Sequence, residues 1–154
     1  MKNSHRTGKP AQASSPLDGI LAEAMRHHQA GRLAQAEHGY RDVLAIDPRH
    51  ADALHWLGVA ASQRGDQTEA LHCFRQAMTL RPDSSVTATN IAHALLLAGR
   101  TEEAANAAAH ALAIAETPQA KALFVQALGL SKTAEQLGPS RALMARAIVD
   151  LMAA

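Results

Sequence analysis

Residues 51–84 read ADALHWLGVAASQRGDQTEALHCFRQAMTLRPDS, and the fold turns on this stretch. Leu54, Leu57 and Ala61 recur at helical spacing and predict a first helix over 51–64. Gly58 leaves out a side chain where a second helix must come close. Gly65-Asp66 breaks the run, because glycine suits the left-handed residue that ends a helix. A second helix, predicted over 67–80, presents Ala70, Leu71, Phe74, Ala77 and Met78, with the small alanines at the crossing and Phe74 filling the space beside it. Pro82 stops it. Two such helices cannot bury their apolar stripes alone, so neighbouring pairs must stack on them.

The neighbours carry the same pattern. In residues 17–50, Ala24 takes the place of Gly58, Gly31-Arg32 that of Gly65-Asp66, and Ala36, Tyr40 and Val43 those of Ala70, Phe74 and Ala77. The two units abut without a linker and close in similar words, LAIDPRH and MTLRPDS. Residues 85–118 form a third unit, with Asn90, Ile91-Ala92, Leu95, Gly99-Arg100 and Ala104 in register. It departs at Ala108, where the other units have Tyr40 and Phe74, and its proline slips to Pro118. A missing aromatic gives up about 3–5 kcal/mol of packing unless another side chain fills the space. The third unit, above all its second helix, is therefore expected to be the softest.

This unbroken period resembles the tetratricopeptide repeat, a 34-residue helix-turn-helix unit. The resemblance covers Leu17 to about Pro118, roughly two thirds of the chain. It implies an all-α fold, an α-solenoid in which stacked helix-turn-helix pairs wind into a right-handed superhelix.

The ends depart from the period. Met1 to Pro16 carries Lys2, Arg6 and Lys9 with no acid and reads as a disordered tail before a repeat domain spanning 17–154. Residues 119–154 are expected to be degenerate capping helices. Thr117 suits an N-cap and Pro118 a first turn. Lys121 to Leu130 then presents Leu123, Phe124, Ala127 and Leu128 on a helix, with Val125-Gln126 in place of the Leu-Gly pair of the central unit. After an irregular 131–139, Ser140 to Ala154 forms a last stripe of Leu143, Met144, Ala147, Ile148, Leu151 and Met152.

Composition excludes several functions. Aromatic residues are only 3 % of the chain, and alanine supplies much of its apolar content, which favours closely approaching helices. A net charge of +1 points to neither nucleic acid nor membrane. Cys73 is the single cysteine and cannot form an intrachain disulfide. No apolar run approaches the roughly 20 residues that span a bilayer. Without the apolar core of a secretory signal, the expected compartment is the cytoplasm.

No catalytic motif, phosphate loop, paired cysteine or cofactor signature is present, so neither an enzymatic activity nor a cofactor is expected. The nine histidines are the unusual feature. In the resembled family the first helix of each unit lines a concave groove. Carried over by position, that surface consists of Asp18, Leu21, Met25, His28 and Gln29, then Asp52, His55, Val59, Ser62 and Gln63, then Val86, Thr89, His93, Leu96 and Leu97, with Trp56 and Asn90 adding to it. The expected peptide-binding set is Leu21, Met25, His28, His55, Trp56, Val59, Asn90, His93 and Leu97. One histidine per unit thus falls on one surface, where exposed imidazoles would hydrogen-bond a peptide. A metal held by His28, His55 and His93 lacks a carboxylate or thiolate to complete it. Trp56 reads equally as a ligand contact or as a packing residue.

The resemblance implies a non-enzymatic scaffold or adaptor that receives a protein or peptide in its groove, as a monomer or weak homodimer. A well-known subgroup clamps acidic C-terminal tails with cations and asparagines, but the corresponding places hold Leu21, Met25, Trp56, Val86 and Asn90. The alternative follows from bacterial chains with similar repeats, which carry a glycosyltransferase, sulfotransferase or methyltransferase domain after them. Under it, these residues are the substrate-presenting module of such an enzyme, or its remnant.

Overall fold

The structure, a computed structural model, describes residues 16–130. Within them run seven helices: α1 (Pro16–Gln29), α2 (Leu33–Ile46), α3 (Ala51–Arg64), α4 (Gln67–Leu80), α5 (Ser85–Leu97), α6 (Thr101–Ile114) and α7 (Pro118–Leu130). No strand occurs among the described residues. α3 and α4 have the bounds that the Gly65-Asp66 break and Pro82 predict. Pro16, expected in the tail, instead opens α1. The expected tail up to Ser15 and the expected closing helix over 140–154 lie outside the described residues.

The helix ends follow from side-chain chemistry. Gly31, Gly65 and Gly99 each turn the chain between the two helices of a unit with φ between +72° and +92°, the left-handed region that a side chain disfavours. α2 and α6, which follow Gly31 and Gly99, have no side-chain cap, but α4, α5 and α7 do. Asp66 accepts a hydrogen bond from the Glu69 N–H (2.9 Å), Ser84 from Thr87 (3.2 Å) and Thr117 from Ala120 (3.2 Å), each satisfying a donor that a helix start leaves unpaired.

Each helix packs on the next, and α1, α3, α5 and α7 also approach one another. The backbones of α2, α4 and α6 do not. The odd-numbered helices therefore form the tight inner layer of a solenoid and the even-numbered helices its splayed outer layer. Long side chains span the outer gap, as where Arg41 of α2 reaches Glu69 of α4 at 2.9 Å.

Every unit closes its crossing differently. In the second, a Cβ on Gly58 would lie 2.7 Å from the Phe74 ring. In the first, Ala24 carries the methyl and the opposing helix gives way instead: a Cβ on Gly39 would lie 2.7 Å from the Ala24 Cβ. In the third, Ala92 and Ala108 are both fully buried. Ala108 belongs to a buried cluster that also holds Phe124 of α7, so an aromatic from the following helix shares the core of the third unit.

Candidate functional site

The inner layer divides into two junctions of different character. Between units one and two the groove side is filled by rings. His28 lies 5.7 Å from Trp56 in an edge-to-face contact and 6.0 Å from Tyr40. Trp56 in turn meets His55 edge-on at 5.4 Å, and His55 lies 5.8 Å from Phe74. Such tilted and edge-on pairs place positive ring edges on negative ring faces.

Both histidines in this stack spend ring nitrogens within the chain. His28 Nε2–H donates to Gln63 Oε1 (3.0 Å), which leaves Nδ1 to accept from the Tyr40 hydroxyl (3.1 Å). Burial pushes that phenol up to about 12. His55 Nδ1 lies 3.0 Å from Thr87 Oγ1 of the third unit. Burial holds the His55 imidazole below its usual range, against the nearby Asp52 carboxylate, with Arg81 pushing the same way as burial. The expectation of three exposed imidazoles is corrected here: only His93 is exposed, while His28 and His55 are half-buried and tie one unit to the next.

Between units two and three the groove is open. Val59, Ser62 and Gln63 of α3 and Asn90, His93 and Leu97 of α5 surround a hollow of about 200 Å³ with the buried Phe74 ring on its floor. Val86, Asn90, His93 and Leu97 fall at intervals of four, three and four along α5 and so share one face of that helix. Val86 and Leu97 are 62 % and 56 % exposed, two of the three large apolar side chains left to solvent among the described residues. Of the remaining expected groove residues, Leu21 and Met25 pack half-buried beside the first ring cluster together with Trp56.

The outer layer holds what the sequence reading missed. Glu37 of α2 is buried and pairs with Arg64 (3.0 Å) and Arg41 (3.1 Å). Glu69 draws on the same two arginines. The signal lay in the period: one unit further on, Leu71 stands in Glu37's place, a core position. Cys73 is buried, and burial pushes its thiol up to about 11, which leaves it without thiolate character. Among the described residues no group of three His, Cys, Asp or Glu is arranged to hold a metal, and no helix is long and apolar enough to cross a membrane.

A family model described as the tetratricopeptide repeat matches residues 51–84, the central unit. The central unit is a tetratricopeptide repeat, and the helix pairs on either side of it follow the same period. Among curated relatives of such repeats, cellulose synthase operon protein C of Komagataeibacter xylinus is 38 % identical over 56 residues, which are 36 % of this chain and 4 % of that protein. The chain thus spans only a small part of the curated relatives it matches. Among solved structures, the O-GlcNAc transferase of Thermobaculum terrenum superposes with a TM-score of 0.73 at 22 % identity, over 93 % of this chain and 27 % of the transferase. The second tetratricopeptide domain of human RPAP3, solved with the HSP70 peptide SGPTIEEVD, gives a TM-score of 0.67 at 18 % identity, over 70 % of this chain and 91 % of that one. These likenesses show the fold: an all-helical tetratricopeptide solenoid.

Proposed function

We propose that this repeat protein is a non-enzymatic scaffold that binds a protein or peptide along its inner layer, chiefly between α3 and α5. The observation that carries this reading is the stripe Val86, Asn90, His93, Leu97, which leaves two large apolar side chains in solvent beside an open hollow. Their exposure costs hydration free energy that a partner would recover, since burying apolar surface contributes roughly 25 cal/mol per Å². Neighbours of the same fold include a domain solved with a bound peptide. That peptide, SGPTIEEVD, carries three acidic residues among its last four. None of the inner-layer positions carried over from the family holds Lys or Arg here, so an anion brought to this groove would lose water without gaining a charged partner. The groove suits an apolar or amphipathic segment.

The test is a capture experiment compared across variants. Wild type, the double variant Val86→Asp with Leu97→Asp, and the outer-layer variant His72→Glu would each be used as bait in lysate of the source cell, with quantitative mass spectrometry. The reading expects a partner held by wild type and His72→Glu and lost from the double variant. A partner held equally by all three would place binding elsewhere.

The superposition on a transferase supports a second reading, in which these repeats present substrate to a catalytic domain. It is tested by whether the gene, or the adjacent reading frame, continues into such a domain.

A further inference from the structure

The hollow between α3 and α5 has a counterpart one period earlier that is already filled, and the pair of junctions shows what the hollow is shaped for. Thirty-four residues back, Ser62 corresponds to His28, Asn90 to Trp56 and Phe74 to Tyr40. At the first junction His28 lies 6.0 Å from the Tyr40 ring and meets Trp56 edge-to-face. At the second, the Tyr40 ring has its equivalent in Phe74, but the other two rings are replaced by the small side chains of Ser62 and Asn90. The hollow of about 200 Å³ is lined by Ser62 and Asn90, the residues that stand in place of those two rings. It lies below the range of about 300–1,000 Å³ of pockets that hold a metabolite or cofactor. No Asp, Glu, Lys or Arg lines it, so an ionised group would enter without a counter-charge.

We propose that this hollow takes one uncharged aromatic side chain from the bound partner, which completes at the second junction the ring stack that the chain itself completes at the first. The inference rests on the groove-binding reading above and adds the identity of the anchoring residue. The entering ring packs between Val59 and Leu97, with the buried Phe74 closing the bottom, and Asn90 and His93 at the rim remain wet. An aromatic anchor in a fitted pocket surrounded by contacts that exclude water is the form binding hot spots take. The first junction has no such vacancy, because Trp56 and His28 occupy it. A partner is therefore gripped on the third-unit side of the groove.

The probes are five peptides, acetyl-Gly-Ser-X-Ser-Gly-amide with X as Trp, Phe, Ala, Asp or Lys, titrated into the full chain and followed by amide NMR. The Trp and Phe peptides are expected to shift Ser62, Asn90 and Leu97 saturably and to bind about tenfold or more tighter than the other three. Asn90→Trp, which supplies the chain's own indole, is expected to keep the fold and abolish this preference. Should that variant misfold, Leu97→Glu at the exposed mouth is expected to abolish it instead. Equal binding of the Trp and Ala peptides, a preference for Asp or Lys, or aromatic binding that survives a folded Asn90→Trp would each overturn the proposal. A captured partner lost from the Val86/Leu97 double variant yet retained by Asn90→Trp would sink the aromatic anchor and leave the groove reading standing.

Discussion

Gly58 and Phe74 meet at the crossing of α3 and α4 so closely that a Cβ on the glycine would stand 2.7 Å from the ring and 3.2 Å from the Ala70 carbonyl oxygen. Phe74 is 1 % exposed and has no room to withdraw. Gly58→Leu is therefore expected to destabilise the whole solenoid by about 1–3 kcal/mol through overpacking, since units share their cores with their neighbours. Thermal unfolding checks this. An unchanged midpoint would contradict the register of the central unit.

Phe124 belongs to α7 by sequence and to the third unit by packing. Phe124→Ala is expected to cost about 3–5 kcal/mol. Hydrogen exchange should locate the damage in α6 as well as α7, because Ala104, Ala105 and Ala108 share the cluster that Phe124 completes. Faster exchange confined to α7 would show that the third unit does not depend on it.

Glu37 offers a test of the outer layer. Glu37→Gln keeps the volume and removes the charge that Arg41 and Arg64 hold. A loss of about 1–3 kcal/mol is expected from the charge-assisted hydrogen bonds. Asp42→Asn, at an exposed place on the same helix, should change little. Urea unfolding of the two variants side by side separates these outcomes.

The junction of units two and three should weaken in mild acid. Burial lowers the His55 imidazole in the fold, whereas the unfolded chain returns it to about 6.5. A group of this sign binds more protons when unfolded, so its contribution is intact above about pH 6.5 and is lost as the pH falls through and below that value. Denaturant unfolding at pH 7.5 and 5.5 is expected to show the loss, and His55→Gln to reduce the difference. An undiminished pH dependence in that variant would assign it to other groups.

Much of the fold is legible in the sequence because Gly65, Pro82 and their equivalents punctuate a fixed period, and punctuation of that kind acts locally. How each crossing is closed is less legible. The pairing of Ala24 with Gly39 exchanges the roles of the two helices, and nothing within either helix announces it. Phe124 reads as part of a failing repeat, since its use by the third unit appears only once α7 lies on α5 and α6. Glu37 was hidden for the opposite reason: a carboxylate on a helix looks solvated until Arg64 arrives from the next unit. In the groove, position marked Trp56 and Asn90 as equivalent. That one fills its space and the other leaves it open emerged only with the rings in place.

The central claim is that the inner layer between α3 and α5 is the binding surface. Methyl NMR of the chain with the captured partner added tests it most directly, because Val59, Val86 and Leu97 report on that surface, while Ile20 and Ile46 lie away from it. The account predicts saturable shifts at the first three residues, with Ile20 and Ile46 unmoved. Shifts centred on Ile20 or Ile46, with Val59, Val86 and Leu97 unchanged, would contradict it.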